Sequence, residues 1–451
     1  MSLRRRFFGC VFDLSVASAW RKTAVLLAVG ITAALMAGEG ARLAVVAVLA
    51  ESFEPRKIQR ALVLDPSSPE LHYRLGLVDS YALEHLDPVE GVRELRRATE
   101  LAPHVAGYWA ALGSACDWIG DTACADTAFE RALRLSPMTP RLHWMTGNHY
   151  LLNDRNKEGM AHFRRLLEVS PSYAGSVFAA SLGAVGDPKA VLEGVLSGAE
   201  KNPELTLSFI NFLCASGKAD FAREVWQTTA ARTSAFRLTW VKPYLASLLE
   251  LRRFRDAANV WRDLERMRVV DRPRSSDSAD ILFNGDFERS PLNAGLDWHI
   301  KAERFLAVDF SDPRAYHGAG CLRVEFTVAR NEDYEPVYQI VPVTPGGTYE
   351  LSGYVRTEDV TSDSGPRLHV LDLDCSDCLN VSTETTIGSA PWHRVSVEFA
   401  AGARTEFLRV SVWRPRSRSF PSEIAGRFWI DAITLKIISA FERCHGPARQ
   451  S

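Results

Sequence analysis

The sequence predicts a three-part chain: one apolar membrane-spanning helix, an all-α array of repeated helix pairs, and an all-β sandwich. Residues 23–38 run without a charge behind a basic flank, and Pro66, Pro103, Pro137 and Pro171 recur at spacings of 37, 34 and 34. After residue 280 the hydrophobic period switches from helical to two.

Composition agrees and excludes other classes. The 451 residues hold 53 Lys plus Arg against 55 Asp plus Glu, a net charge of −2, with 46% hydrophobic residues. This is ordinary globular material for two or three domains. It lacks the basic footprint of a duplex-binding protein, so no nucleic-acid partner is expected. Eight cysteines are too sparse for a disulfide-built scaffold.

The first element is read from charge and length. Residues 1–22 carry Arg4, Arg5, Arg6, Arg21 and Lys22 against Asp13, five cations less one acid. The uncharged run spans ~24 Å, short of the ~30 Å hydrocarbon core. Snorkelling of Arg21 and Lys22, and the apolar stretch 43–50, extend it at either end. The positive-inside rule makes 1–22 a cytoplasmic tail, 23–50 a signal anchor and exit helix, and everything later external. A cleaved secretory signal is the alternative, although small residues are poorly placed around Leu35, Met36 and Ala37. Both readings export the remainder.

The second element covers 55–267. Each spaced proline ends a helical stretch: RALVLDP, RRATELAP, ERALRLSP and RRLLEVSP. Before Pro137 stand Trp109, Leu112, Gly113, Ala125, Phe129 and Ala132, a spacing that resembles the tetratricopeptide repeat. The next unit keeps Gly147, Tyr150 and Phe163, and the preceding one Leu75, Gly76 and Ala98. Ala222/Trp226 and Ala257/Trp261 are degenerate echoes, making some six helix pairs. Small residues such as Gly76, Gly113 and Gly147 let paired helices approach, and Phe129, Phe163, Trp226 and Trp261 are expected in the core. The resemblance implies a concave groove for a protein partner, lined by Glu70, Tyr73, Ser80, Tyr81, Ser114, Asp117, Trp118, Arg141, Trp144 and Asn148. Alternatively Tyr73, Trp118 and Trp144 pack on the membrane-proximal helix or the next domain.

Residues 268–280 are charged and Ser-rich and read as a linker. The third element, 281–437, alternates apolar and polar residues over 348–356, 392–399 and 407–413, as antiparallel strands do; 438–451 is a tail. The segments ILFNGDFE, GAGCLRVEF, VYQIVPVTPGGTYELSGYVRTEDV, PWHRVSVEF and RFWIDAITL together resemble a carbohydrate-binding module of the galactose-binding-like jelly-roll superfamily. The whole chain resembles bacterial envelope proteins that join tetratricopeptide repeats to such a module. That resemblance implies the inner membrane, with the C-terminal domains in the periplasm.

The resemblance also implies a structural Ca²⁺ on Glu288 and Asp431, with Asp286 as a further candidate and carbonyls of the 309–318 loop completing the shell. The alternative is that both acids cap strand ends through hydrogen bonds. Sugar recognition needs aromatic faces beside polar groups, and the outward set Tyr338, Tyr354, Arg356, His369, Arg409 and Trp413 supplies both. Alternation does not say which sheet carries each. The 413–420 loop adds Arg414, Arg416 and Arg418, suited to an anionic glycan or phosphate, or simply solvated.

Cys116 and Cys124 fall on facing helices and are expected to bridge, and Cys375 with Cys378 to form a short surface disulfide. Asp372, Asp374 and Asp377 beside that pair read as a cation site or a solvated acidic loop. No nucleophile elbow, phosphate-cradling loop or zinc-protease motif occurs, so no catalysis is expected. The functional expectation is a membrane-anchored protein that binds a glycan through the sandwich and protein partners through the repeats, in exported polysaccharide handling. The alternative is an assembly scaffold whose sandwich has no sugar affinity.

Overall fold

The computed structural model describes residues 19–51, 54–197, 202–233, 235–271, 280–301, 303–420 and 422–439. Arg4, Arg5, Arg6 and Asp13, the middle of the expected linker and most of the C-terminal tail lie outside them. The chain forms two compact units, 1–197 and 198–451.

The first unit opens with α1 (Ala19–Ala50). Its Lys22–Ala50 stretch, 29 residues, is the one described helix long and apolar enough to cross a membrane, a test that a signal sequence also passes. The helix runs straight through Glu39 and Arg42. Arg42 Nε donates to Glu39 at 2.8 Å, and its Nη1 donates to the Leu64 carbonyl at 2.6 Å. Val46, near the end of α1, is buried in a cluster with Ile58, Leu71 and Leu75.

Helix α2 (Pro55–Leu64) leads into four pairs: α3 (Pro69–Tyr81) with α4 (Pro88–Leu101), α5 (Ala106–Trp118) with α6 (Thr122–Leu135), α7 (Pro140–Leu152) with α8 (Asn156–Val169), and α9 (Ala174–Val185) with α10 (Pro188–Val195). Proline opens α2, α3, α4 and α7, where its missing N–H costs nothing. Asp87 and Asp121 cap α4 and α6 by accepting the Glu90 and Cys124 amides. Within a repeat the first-helix glycine meets the second-helix aromatic. A Cβ on Gly113 would stand 2.9 Å from the Phe129 ring, and one on Gly147 would crowd Phe163 more closely still. Phe129 and Phe163 are fully buried, as the repeat pattern predicts. The Cys116–Cys124 disulfide ties α5 to α6 across a Cα separation of 5.8 Å.

The second unit holds α11 (Pro203–Ala215), α12 (Ala219–Arg232), α13 (Leu238–Glu250) and α14 (Phe254–Arg266), followed by ten strands. Trp226 and Trp261 are buried core residues of the two helix pairs. One sheet orders β1 (His299–Ile300), β4 (Tyr334–Pro342), β9 (Phe407–Arg414), β6 (Arg367–Asp372) and β7 (Asn380–Ser382). The other orders β2 (Leu306–Asp309), β3 (Leu322–Arg330), β10 (Ile424–Ser439), β5 (Thr348–Val360) and β8 (Gly388–Ala400). All pairings are antiparallel. The apolar halves of the alternating strands, such as Val324, Leu351, Val370, Val410 and Ile430, fill the space between the sheets.

Within the second unit, α13 and α14 with their connecting turn bear directly on the sandwich. Arg255 pairs with Glu406 (Nε–Oε2 3.0 Å), Phe254 lies against Phe407 at 5.8 Å, and Trp261 meets Phe283 edge-on at 5.4 Å. Arg252 donates to the Leu373 carbonyl, and Lys242 to that of Leu292. The composition of 268–280 carries no information about these aromatic contacts on either side of it.

Candidate functional site

The outer face of the first sheet collects most of the expected sugar-binding residues. Register pairs Tyr338 and His369 each with Ser411, so the three form one row across β4, β9 and β6. Arg409 and Trp413, two residues to either side of Ser411, point the same way. His369 and Trp413 rings lie 4.4 Å apart, and Tyr338 stacks on His299 at 4.9 Å. Each ring is held by a polar neighbour. Trp413 Nε1 donates to Asp333 Oδ1 (2.7 Å), His369 Nε2 meets Asn380 Oδ1 (2.8 Å), and the Arg409 guanidinium sits 4.9 Å over Tyr338. Arg409 and Lys301 share Glu335, at 3.3 and 3.0 Å. Burial pulls the His299 pKa below its ordinary value, which keeps the imidazole neutral.

Tyr354 and Arg356 lie apart from this group, a division that alternation had left open. They lie on β5, in the second sheet, where the Tyr316 ring stacks on Tyr354 at 3.7 Å and the Arg356 guanidinium lies 5.3 Å over the buried Trp429. Arg314 covers the same indole at 4.4 Å. These groups clamp the loop between β2 and β3 onto the sheet, so one Tyr354 face is already taken. Period two marks a side chain as outward but is silent about which sheet its strand joins.

The same loop meets the two candidate calcium acids with N–H groups. Asp431 Oδ2 accepts from Tyr316 and His317, both at 2.9 Å, and Oδ1 from Ala432 at 2.6 Å. Glu288 Oε1 accepts from Ala319 at 2.8 Å and Gly320 at 3.3 Å. Gly318 (φ +74°) is obligatory there, because a Cβ would collide with the Glu288 carboxylate. Burial lifts the Asp431 pKa against the pull of its three amide donors. Asp286 Oδ1 is buried without a hydrogen-bond partner among the described residues, yet no group of three or more His, Cys, Asp or Glu there could hold a metal. The contacts that Asp431 and Glu288 make here are hydrogen bonds accepted from backbone amides.

Arg414, expected in a basic loop, is wholly buried. Its guanidinium donates to the carbonyls of Ser364 (3.0 Å), Glu332 (2.7 Å) and Ser422 (2.8 Å) and to Asn331 Oδ1 (3.0 Å), riveting three loops together. Arg416 and Arg418 remain exposed. Cys375 and Cys378 form a disulfide. Asp372 beside it is buried, with Oδ1 accepting from Asp374 and Cys375 and Oδ2 from Thr405.

In the helical array a recess of 460 Å³ is lined by residues that include Tyr73, Leu77, Tyr81, Ser114, Arg141 and Met145. Tyr73 and Arg141 thus come together, over a floor of Ala106, Gly107, Ala110 and Ala111. Tyr81 and Ser114 join them, whereas the other expected groove residues do not line this recess. Trp118 is 63% exposed and outside the recess, Trp144 stacks on Phe163 at 5.3 Å, and Asn148 bonds the Trp144 carbonyl of its own helix. Asp117 is occupied by His149.

Sequence reasoning missed His299, Asp333, Glu335, Arg367 and Asn380. Their short strands and loops carry no periodic signal, and only strand pairing brings them to this face.

Residues 119–174 match the tetratricopeptide repeat family model. No curated protein matches the chain in sequence. Among solved structures, MamA is 16% identical, with 40% of this chain and 85% of that one covered at a TM-score of 0.26. The CBM22-1 xylan-binding domain of Paenibacillus barcinonensis Xyn10C is 18% identical, covering 37% and 99%, also at 0.26. TmCBM61 in complex with β-1,4-galactotriose is 21% identical, covering 36% and 99%, at 0.25. The sandwich is defined by its own strand order, two five-stranded antiparallel sheets around one core. The chain carries a tetratricopeptide-repeat match within an array of helix pairs, behind one apolar N-terminal helix and ahead of a β-sandwich of two five-stranded antiparallel sheets.

Proposed function

We propose that this is a non-catalytic, membrane-anchored envelope protein that binds a glycan on the first sheet of its sandwich and a protein segment in its helical recess. The observation that carries the sugar reading is the row Tyr338–Ser411–His369 flanked by Trp413 and Arg409. Two half-buried rings stand there among an imidazole, an amide and a guanidinium already oriented by partners. Rings stack on the C–H face of a pyranose while fixed polar groups bond its hydroxyls, with little ordering cost on binding. The helix Lys22–Ala50 serves as the anchor, with the N-terminus cytoplasmic and the helical array and sandwich that follow it periplasmic.

The test is affinity electrophoresis of the full chain in detergent through gels containing soluble xylans, glucans, galactans and uronate polysaccharides. Retardation by at least one, lost in Trp413→Ala, is the expected result. Unretarded migration in all of them overturns the sugar reading and leaves the assembly-scaffold alternative. A reporter fused after Ala50 tests topology, and activity of a cytoplasm-only reporter there overturns export.

A further inference from the structure

The Trp413 end of the sugar face carries cationic groups for which the fold supplies few carboxylates. Arg367 pairs in register with Trp413, and its guanidinium lies 6.0 Å over the indole. It is half-buried, yet among the described residues it forms no ion pair. Its one hydrogen bond runs from Nη2 to the neutral Ser364 Oγ at 3.3 Å, and Nε is buried without a partner. Burial, and then the neighbouring Arg414, push its pKa below that of an ordinary arginine, the mark of a charge whose environment does not compensate it.

The surrounding loop reinforces this. Ser417 is pinned by the Asn331 side chain and by Asp363, which holds the backbone between Arg416 and Arg418. Neither Arg416 nor Arg418 forms an ion pair among the described residues, and both are exposed. Neither nearby acid bonds Arg367 among the described residues: Asp333 accepts from Trp413 Nε1 and Asp363 from Ser417, and Asp363 offsets the Arg367 charge only in part. A half-buried guanidinium without a carboxylate is costly unless a ligand supplies one.

We infer that the glycan bound on this face is acidic: a uronate sugar stacks on Trp413 and presents its carboxylate to Arg367, with Arg416 and Arg418 drawing the rest of the polyanion. This rests on the sugar reading above and names its substrate class. A planar guanidinium offers two parallel N–H donors that match a carboxylate, and the ring beside it accepts the sugar face. Neutral sugars satisfy the stacking but leave Arg367 without a counter-charge.

The experiment compares polygalacturonate, alginate and glucuronoxylan with their carboxyl-reduced, neutral forms, using the full chain in detergent. At least one acidic form is expected to bind ten-fold or more tightly than its reduced form, with a preference that shrinks as salt rises. In Arg367→Gln the ratio falls to about one, and Arg367→Lys restores part of it. Equal binding of acidic and reduced forms, or binding of neutral polysaccharides alone, overturns the acidic-sugar inference and leaves the sugar reading standing. Binding to none overturns both. The wild-type comparison needs no variant, so a folding failure of Arg367→Gln does not blunt it.

Discussion

His149 Nδ1 lies 2.5 Å from Asp117 Oδ1, and its Nε2 lies 2.9 Å from Asp126 Oδ1, so one buried imidazole on α7 is gripped by carboxylates from both helices of the preceding repeat. Burial opposes its charge, but the bonds to Asp117 and Asp126 outweigh that and raise its pKa. The native state therefore holds the proton more tightly than the unfolded chain. This stabilisation is complete below the unfolded value of ~6.5 and is lost as pH rises through the raised native one. His149→Gln should lower stability by about 2 kcal/mol at pH 6. Melts from pH 5 to 9 should show the gap to wild type narrowing toward alkaline pH. A gap that is constant or widens would contradict the assignment.

His162, on α8, has the opposite sign. Half-buried beside His143 (Nδ1–Nδ1 3.4 Å) and the Tyr150 ring, it is pushed down to about 4 by burial and then by His143. Between ~6.5 and that value the unfolded chain takes up a proton that the native imidazole refuses, so stability falls with acidification across this window. His162→Gln should flatten that part of the pH–stability curve. An unchanged acid slope would refute the reading.

The two sandwich faces separate by mutation. Trp413→Ala should weaken polysaccharide binding at least ten-fold, about 1.4 kcal/mol, with little change in melting temperature. Tyr354→Ala should leave binding intact and lower the melting temperature, because it removes the ring on which Tyr316 stacks. The reverse pattern would place the site on the second sheet.

Gly147 has no space for a methyl group against Phe163. Gly147→Ala should destabilise the helical array by about 1–3 kcal/mol, read as an earlier first transition in denaturant. Gly107→Ala has open space around its Cβ and serves as the control, with no loss expected.

Calcium and chelator should both leave the melting temperature unchanged, since Asp431 and Glu288 are filled by N–H donors. Asp431→Asn should cost about 2 kcal/mol in either condition, because an amide nitrogen would face the Tyr316 and His317 N–H groups. A rise in melting temperature with calcium that Asp431→Asn abolishes would restore the metal.

Much of the architecture was legible from period alone. The 34-residue spacing placed Phe129, Phe163, Trp226 and Trp261 in the core, where they lie. Alternation over 348–356, 392–399 and 407–413 located β5, β8 and β9. Cys116 with Cys124 and Cys375 with Cys378 were near enough in sequence for their bonds to be foreseen. Local spacing suffices for such features because each depends on one helix pair or one strand.

The sugar face was only partly legible. Tyr338, His369, Arg409 and Trp413 were identified as outward, and so were Tyr354 and Arg356, with nothing to separate the two groups. Sheet membership is a long-range property: β4 and β9 share one sheet while β5 pairs with β10 in the other. Likewise, Arg414 reads as an equal of Arg416 and Arg418 until the fold surrounds it with five acceptors. Residue type and period were therefore enough to determine the elements, their order and their buried stripes, since those follow from local geometry and apolar burial. Which polar side chains meet, which charges are left without a counter-charge and which carboxylates are filled by amides were decided only by tertiary packing, because those partners lie tens to hundreds of residues apart along the chain.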